Sequence, residues 1–273
     1  MHPWLFGVDL PVVGRFEISA YFLWIVVGCV LAAHVVAREA EAEGEDPRAA
    51  LLLTVLAIAG GSVGARLGHV PTRWDVYVDD PLRVFQFWRG GLVFYGGLIG
   101  GLVTGVAWCR VRGLSFIRMA DICAPAVAVG LAFGRIGCFS VGCCYGRPID
   151  WPFGIEWPWA VVFLEGQAPS ALRGVALHPT QNYATLGALA IFAAVALIRR
   201  RRDFEGQAIT ALLMLYGGWR SFLELFRFDA IRGFVFPEYL GQNLSTSQAV
   251  SIPMVLGGAI AYVLLRRRAN RGG

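Results

Sequence analysis

The amino-acid sequence predicts an all-α fold, a polytopic membrane bundle of about seven transmembrane helices. Hydrophobic residues make up 56% of the 273 residues and charged residues only 16%. Apolar runs of about 20 residues, long enough to cross a bilayer, recur along the chain. At this length the spans leave no room for a large soluble domain beside them. We therefore expect a single integral-membrane domain, residues 1–273, whose loops carry the chemistry.

Seven apolar windows bounded by charged residues define the expected spans. They cover residues 17–37, 50–70, 91–109, 119–140, 183–198, 207–226 and 249–265. The first residues lack a positively charged start, a continuous apolar stretch and a small-residue cleavage site. We therefore expect no removable signal peptide, and the first span then acts as its own insertion signal.

Arginine sets the predicted orientation, because the chain contains no lysine. Arginine clusters lie between the third and fourth spans, between the fifth and sixth, and after the seventh, and such clusters favour the cytoplasmic side. The C-terminus is then cytoplasmic, and the N-terminus lies outside with the loops near 71–90, 141–182 and 227–248. Arginines at the membrane face explain the net charge of +5, so we expect no nucleic-acid partner.

Ionisable residues within or beside the spans are the first functional signal, because each is costly in hydrocarbon unless it is paired or faces a polar cavity. These residues are Arg66 with His69, Tyr95, Arg135, and the set Tyr216, Arg220, Glu224 and Arg227. The last four, at spacings of four, four and three, share one helical face. An internal ion pair between Arg220 and Glu224 is the simpler interpretation. Buried arginines on several spans with one obvious acid instead favour an anionic ligand, for which a membrane lipid phosphate is the most abundant source.

Glycine-rich segments accompany these residues. "GGSVGARLG", "GGLVFYGGLIGGLVTG" and "GLAFGRIG" carry glycines at spacings of three or four. Such spacing allows helices to approach closely or a backbone to pass a ligand, and the sequence leaves both open.

Five motifs occur in an order typical of one enzyme family: "FYGGLIGG", "GRIGCFSVGCCYGRP", "LHPTQNY", "YGGWRSFLELFR" and "LSTSQAVSIPM". The chain resembles the prolipoprotein diacylglyceryl transferases from Tyr21 to the last span. The resemblance implies a multi-pass enzyme of the bacterial inner membrane. Its partners would be phosphatidylglycerol, whose diacylglyceryl group is transferred, and the lipobox cysteine in the signal-peptide region of a preprolipoprotein, which accepts it. The products would be a thioether and glycerol phosphate, and no cofactor is implied.

The resemblance also assigns roles to individual positions. The expected catalytic set is Arg135, Arg220, Tyr95, Glu224 and Tyr21. The expected lipid-binding set is Arg135, Gly146, Tyr216 and Arg227, together with Arg66, which is included because it is an arginine at the end of a span. Arg135 matches the signature arginine and is expected to hold the headgroup, and Gly146 matches the glycine that closes the signature. Arg220 is expected to assist the phosphate or the developing charge. For His178, which opens the fifth span beside a proline, we favour a structural role.

The departures from the family pattern are concentrated in the signature. Where the pattern is GRxGNFxNxExxG, Cys138 and Val141 replace its two asparagines and Cys143 replaces its glutamate. Tyr95 stands where many members carry histidine, and a phenol with a pKa near 10 is a poor base at neutral pH. Tyr95 can still donate a hydrogen bond.

Three interpretations of Cys138, Cys143 and Cys144 remain open. In the first, the chain is a divergent transferase in which the thiols adjust the site that binds lipid and peptide. In the second, it is a paralogue with another thiol acceptor or lipid donor. In the third, the cysteines form a redox or metal site. A disulfide from Cys138 to either neighbour suits an oxidising compartment. Zinc would need a fourth ligand that the segment does not show, so we predict no metal. A catalytically dead protein that binds lipid or lipoprotein is the strongest non-enzyme alternative.

Overall fold

The computed structural model describes residues 4–10, 14–86, 91, 93–149, 158–164, 170–228, 233–235 and 243–272. Most of these residues are helical. The elements are β1 (Trp4–Leu10), β2 (Gly14–Ser19), α1 (Ala20–Ala42), α2 (Pro47–His69), α3 (Trp74–Asp79), α4 (Phe94–Arg112), α5 (Phe116–Val141), β3 (Val161–Val162), β4 (Ala176–Leu177), α6 (Thr180–Arg200), α7 (Gln207–Leu223) and α8 (Thr246–Gly272). Short 3₁₀ helices occupy Val70–Arg73, Pro81–Phe85, Ser170–Leu172 and Glu224–Phe226.

An antiparallel hairpin precedes the first helix. Gly7 of β1 pairs with Glu17 of β2, and Leu10 pairs with Gly14. The first span was expected to begin at residue 17, inside β2. The sequence from Arg15 to Ile18 alternates polar and apolar residues, which is the period of a strand, and a window tuned to apolar content averages over that alternation.

Each of the seven expected spans contains a helix, and the chain is a multi-pass membrane protein. Within the described residues, five helices are long and apolar enough to cross a bilayer, namely α1, α2, α5, α6 and α8. α7 has 17 residues, or about 25 Å of helix, which is shorter than a hydrocarbon core of about 30 Å. α4 carries Arg110 and Arg112 in its last turn. The count of seven, the orientation and the single domain stay predictions.

Large apolar side chains remain exposed on these helices. Val30 of α1, Val103 of α4 and Ile260 of α8 are 63%, 61% and 60% exposed. Apolar surface of this extent is unusual in contact with water but suits contact with lipid chains. The exposed side chains therefore agree with a membrane location.

The chain divides into two compact units, the first formed by Met1–Ala32 with Ala124–Gly273 and the second by Ala33–Cys123. In the first unit, α5, α6 and α7 share a buried core made of small and aliphatic side chains: Ala124, Ala128, Ile191, Val195, Ala208 and Leu212. A Cβ atom on Gly187 of α6 would overlap the indole of Trp219 of α7. This glycine therefore makes the room in which Trp219 sits.

In the second unit, α2 and α4 interlock through glycines. A Cβ atom on Gly64 would collide with the carbonyl oxygen of Gly96 and would lie 2.9 Å from the Cα atom of Gly100. Glycines at spacings of four remove the side chains that would otherwise keep two helices apart. In these two helices the glycine spacing therefore serves helix packing.

Candidate active site

The polar face predicted for α7 is present in the structure. Arg220 Nη1 lies 2.7 Å from Glu224 Oε2, and Arg227 Nη1 lies 3.8 Å from the same oxygen. The carboxylate side chain is 2% exposed and each of the two arginines is 11% exposed. Arg220 Nη2 also donates a hydrogen bond to Ser247 Oγ of α8 at 2.5 Å. The ion pair expected from the sequence exists, and it leaves two guanidinium groups beside one carboxylate.

A third arginine comes from α5. Arg135 donates a hydrogen bond to the side chain of Tyr216, which lies one helical turn before Arg220 on α7. Arg135 and Arg220 also line the same cleft. Four residues that the resemblance assigns to phosphate chemistry are therefore neighbours in space: Arg135, Tyr216, Arg220 and Arg227.

A cleft with two adjoining lobes opens beside these arginines. Arg135 and Arg220 line both lobes. The polar lobe adds Arg227, Cys144, Thr180 and Gln181. The apolar lobe adds Leu131, Tyr216 and Trp219. We call the whole the arginine cleft, and its charged wall with an apolar end suits an amphiphilic anion.

The three cysteines of the signature segment gather beside this cleft. The Sγ atoms of Cys138, Cys143 and Cys144, here named the thiol cluster, lie within 4.8 Å of one another. All three are free thiols in this structure, without the disulfide that the sequence left open. The backbone N–H of Cys143 donates to the Cys138 carbonyl at 3.1 Å, and its thiol lies 3.6 Å from the same oxygen. The loop after α5 thus folds back onto the end of the helix.

Cys143 and Cys144, the two cysteines of the cluster that follow α5, differ in the pKa of their thiols. Hydrogen bonds from the Cys138 and Cys143 thiols lower the pKa of Cys144, and the positive charges of Arg135 and Arg227 add to that effect. Hydrogen bonding to the other two thiols, together with burial, raises the pKa of Cys143. Cys144 is therefore the member of the cluster that carries negative charge.

The start of α6 positions the Cys143–Cys144 peptide. Thr180 Oγ1 donates to the Cys144 carbonyl at 2.7 Å, and Gln181 Nε2 donates to the Cys143 carbonyl at 2.7 Å. Cys144 has a φ of 59° and is the one non-glycine residue with positive φ in the described part of the chain. A non-glycine residue adopts this conformation only where its surroundings impose it. The two hydrogen bonds from α6 supply that constraint.

Gly146 closes the signature segment within a small backbone ladder. Its N–H donates to the His178 carbonyl at 3.1 Å, and the N–H of Arg147 donates to the Phe226 carbonyl at 2.9 Å. A Cβ atom on Gly146 would lie 2.5 Å from the first carbonyl oxygen and 2.9 Å from the second. Packing between two backbones explains the glycine, and its assignment to lipid binding stays a prediction.

His178 packs at the start of α6, and the structural role that we favoured for it stays a prediction. Its ring packs at 5.4 Å from the Phe226 ring, and Nδ1 lies 3.4 Å from the Tyr183 hydroxyl. Burial and the neighbouring charge of Arg147 lower its pKa. The imidazole is therefore neutral at physiological pH and holds the start of α6 against the chain that follows α7.

Tyr21 lies beside the thiol cluster and Arg135. It is 40% exposed, and its ring packs over Gly137, where a Cβ atom would lie 2.9 Å from Tyr21 Cδ2. Tyr21 is also close enough to interact electrostatically with Cys138 and Arg135. The first-span tyrosine named from the resemblance thus belongs to the same cluster of polar groups.

Arg66 and Tyr95 belong to the second unit and are described within it. Arg66 is 4% exposed. Its guanidinium donates to four backbone carbonyls at 2.5 to 3.1 Å, those of Arg83, Val84, Gln86 and Gly91. Arg66 therefore fastens the segment between α3 and α4, and lipid binding by it stays a prediction. Tyr95 is half-buried at the second position of α4.

Sequence reasoning missed several residues that contact the site. Thr180 and Gln181 position the thiol cluster, Ser247 bonds Arg220, and Trp219 lines the apolar lobe. All four lie inside motifs quoted for the family resemblance. The motifs marked the segments, but the contacts depend on helices that are distant in sequence.

This chain is similar to known proteins over nearly its whole length. Residues 9–264 match the family described as prolipoprotein diacylglyceryl transferase. A phosphatidylglycerol–prolipoprotein diacylglyceryl transferase of Clostridioides difficile is 30% identical over 264 residues, which cover 97% of this chain and 94% of the relative. A protein of the same name from Geobacter sulfurreducens is 35% identical over 262 residues, covering 93% and 94%. This chain belongs to the prolipoprotein diacylglyceryl transferase family.

Proposed function

We propose that this protein transfers the diacylglyceryl group of phosphatidylglycerol to the thiol of a prolipoprotein, the first step of lipoprotein maturation. The observation that carries the proposal is the arginine cleft, in which Arg135, Arg220 and Arg227 face one amphiphilic cavity in a chain of this family. Guanidinium groups bind phosphate through paired N–H donors, and they stay charged when partly buried.

The charge of the cleft suits the leaving group. Among the described residues, Arg135, Arg220 and Arg227 lie beside the carboxylate of Glu224 and the acidic thiol of Cys144, so positive charge exceeds negative charge there. The phosphodiester of phosphatidylglycerol carries one negative charge, and the glycerol phosphate that departs carries close to two. Positive groups that are already in place stabilise the charge as it develops, which lowers the barrier without reorganisation.

The proposed chemistry is a displacement at carbon. The acceptor thiolate attacks the glyceryl CH₂ carbon that bears the phosphate, a carbon–sulfur bond forms, and the carbon–oxygen bond breaks. The bonding pair moves to the phosphate oxygen, and glycerol phosphate leaves. Arg135 and Arg220 bind the phosphate, Tyr216 orients Arg135, and Glu224 orients Arg220. Tyr21 is proposed as a hydrogen-bond donor beside the acceptor.

One unsatisfied polar atom supports the placement of the lipid. Gln181 Oε1 is buried without a hydrogen-bond partner in the described part of the chain. Gln181 lines the polar lobe and can accept a hydrogen bond from a glycerol hydroxyl of the headgroup. Buried polar groups are normally paired, and the bound headgroup would pair this one. Trp219 lines the apolar lobe with its Nε1 against Gly187, and its ring can pack against an acyl chain.

The finer assignments complete the proposal. The protein lies in the bacterial inner membrane with its N-terminus outside, and the lipobox cysteine of the preprolipoprotein reaches the cleft from that side. Tyr95, Arg66 and Gly146 contribute to lipid binding or to orienting the donors, as the family resemblance implies.

The test uses a bacterium depleted of its own transferase and a reporter lipoprotein whose mass is measured. Wild-type protein should add one diacylglyceryl group. Arg135→Gln and Arg220→Gln should lower turnover about 10²-fold or more, the usual cost of a lost charge-stabilising donor. Arg173→Gln, at an exposed loop position, is the matched control and should keep full turnover. Normal turnover by both arginine variants, at equal membrane insertion, would overturn the assignment.

A second candidate function is favoured by the thiol cluster itself. Cys138, Val141 and Cys143 stand where the family pattern has two amides and a carboxylate, which suits a paralogue with another thiol acceptor or lipid donor. The triple variant Cys138→Asn, Val141→Asn, Cys143→Glu separates the two. If only the triple variant modifies the reporter, the wild-type protein serves another substrate. If the wild type modifies it, the thiols are compatible with the family reaction.

A further inference from the structure

The backbone conformation of the segment brings the three thiols of the cluster together. Cys138 belongs to the last turn of α5, and Cys143 returns to it through a 3.1 Å backbone hydrogen bond. The left-handed backbone at Cys144, with its carbonyl held by Thr180, turns consecutive cysteine side chains toward the same point. Consecutive residues rarely direct both side chains to one point, so this conformation needs a reason beyond packing.

Two positive side chains lie beside the cluster. Cys144 lines the polar lobe together with Arg135 and Arg227. Thiolates that bind an ion at this point would therefore have two guanidinium groups on their cleft side, which is also the side that substrates reach.

We propose that Cys138, Cys143 and Cys144 bind a zinc ion whose fourth coordination position opens to the arginine cleft and takes the acceptor thiol as a thiolate. This inference rests on the proposed function, because the fourth ligand is the substrate of that reaction. The sequence alone disfavoured zinc for want of a fourth protein ligand. A catalytic zinc site differs from a structural one in having three protein ligands and one open position.

The geometry of the cluster is close to that of a zinc site. With zinc–sulfur bonds of about 2.3 Å, three sulfur ligands of a tetrahedral ion lie about 3.8 Å apart. The three Sγ atoms lie within 4.8 Å of one another before any ion is bound. Thiol side chains can rotate by the difference without moving the backbone that Thr180 and Gln181 hold.

Zinc would supply what the proposed reaction lacks, a means of forming the acceptor thiolate at neutral pH. A free cysteine thiol has a pKa near 8.5, whereas a thiol bound to a metal is deprotonated outright. The proton passes to solvent, the bound thiolate attacks the glyceryl carbon, and the carbon–oxygen bond breaks as described above. The product is a thioether, which has lost its charge and is a weaker ligand, so it leaves the ion. Neither oxidant nor reductant is required.

The first experiment measures metal binding without any lipid. The protein is purified under reducing conditions in detergent, its zinc content is measured by mass spectrometry, and cobalt(II) is then exchanged for zinc. We expect about one ion per chain and the intense visible and near-ultraviolet absorption of tetrahedral cobalt bound to thiolates. Each of Cys138→Ser, Cys143→Ser and Cys144→Ser should lose this absorption. Cys29→Ser, a cysteine of α1 outside the cluster, should keep it.

The second experiment tests the open position with wild-type protein, so that it does not depend on how the variants fold. A lipobox peptide containing cysteine should shift the visible bands of the cobalt protein, and the same peptide with serine should not. No shift with the cysteine peptide would overturn the acceptor role. A wild-type protein that binds no zinc or cobalt when fully reduced, or whose cluster is isolated as a disulfide, would overturn the site.

The outcomes separate this inference from the proposed function. Full transferase activity in metal-stripped protein would overturn the inference while the function stands. A cobalt site that responds to the cysteine peptide in a protein without transferase activity would support the metal site and overturn the proposed function. Loss of activity on stripping, with recovery on adding zinc, supports both.

Discussion

Replacement of Glu224 by glutamine removes the one carboxylate between Arg220 and Arg227 while keeping its shape. The carboxylate is 2% exposed and lies 2.7 Å from one guanidinium and 3.8 Å from the other. Breaking a buried ion pair by neutralising one partner costs about 3–5 kcal/mol, because the remaining charge is left uncompensated. A glutamine oxygen can still accept from Arg220, so we expect a cost near the lower limit, about 3 kcal/mol.

Thermal unfolding in detergent measures this cost. For a chain of this size, about 3 kcal/mol corresponds to a fall in Tm of roughly 6–12 °C. Glu41→Gln, at an exposed position of α1, is the matched control and should leave Tm unchanged within error. Adding Arg227→Gln to Glu224→Gln should recover part of the loss, since it removes one of the two positive charges beside the lost carboxylate. A Glu224→Gln protein as stable as the control, or a double variant with no recovery, would refute the charge-pairing explanation.

Three further predictions follow from the described contacts. Gly146→Ala should lower the free energy of unfolding by about 1–3 kcal/mol through overpacking. The control is Gly218→Ala, whose added Cβ meets no atom within 4 Å. Thermal unfolding should show a lower Tm for the first variant and an unchanged Tm for the second. Gly64→Ala should be destabilising to a similar degree, because its Cβ meets the backbone of α4; an unchanged Tm would contradict helix packing as its role. In reduced, metal-free protein at pH 6, iodoacetamide should alkylate Cys144 faster than Cys143, since the lowered pKa keeps the first deprotonated and the raised pKa keeps the second protonated. Equal rates, measured by peptide mass spectrometry, would contradict this assignment.

The membrane helices could be predicted because they depend on local composition. Hydrocarbon solvent requires about 20 consecutive apolar residues in each span, and that requirement is written directly in the sequence. The hairpin Trp4–Ser19 could not be separated from the first span in this way. A short strand and the start of an apolar helix have similar composition, and only the two-residue alternation distinguishes them.

The site was predictable where one helix carries it. Arg220, Glu224 and Arg227 share a face because of helical periodicity alone, and the structure pairs them. The partnership of Arg135 with Tyr216 joins two helices, so the sequence could suggest it only through family resemblance. Arg66 shows most clearly what the sequence could not decide. Its guanidinium donates to loop carbonyls in the structure. An arginine that binds a lipid phosphate would use the same donors, so the sequence could not distinguish the two roles.

The thiol cluster also bears on how this chain tolerates the loss of the signature glutamate. Cys143 occupies the position of the glutamate in the family pattern, and a glutamate here would place one negative charge beside the arginines. A protonated cluster would leave the arginine cleft one charge more positive. One thiolate at Cys144 restores a single negative charge, and so does a zinc ion with three thiolates, since two positive and three negative charges sum to minus one. Both states keep the electrostatic balance around Arg135 and Arg227 that a carboxylate would give, although their chemistry differs. Substitution of a carboxylate by thiols therefore changes which nucleophile the site can bind while leaving the phosphate side of the cleft the same net charge.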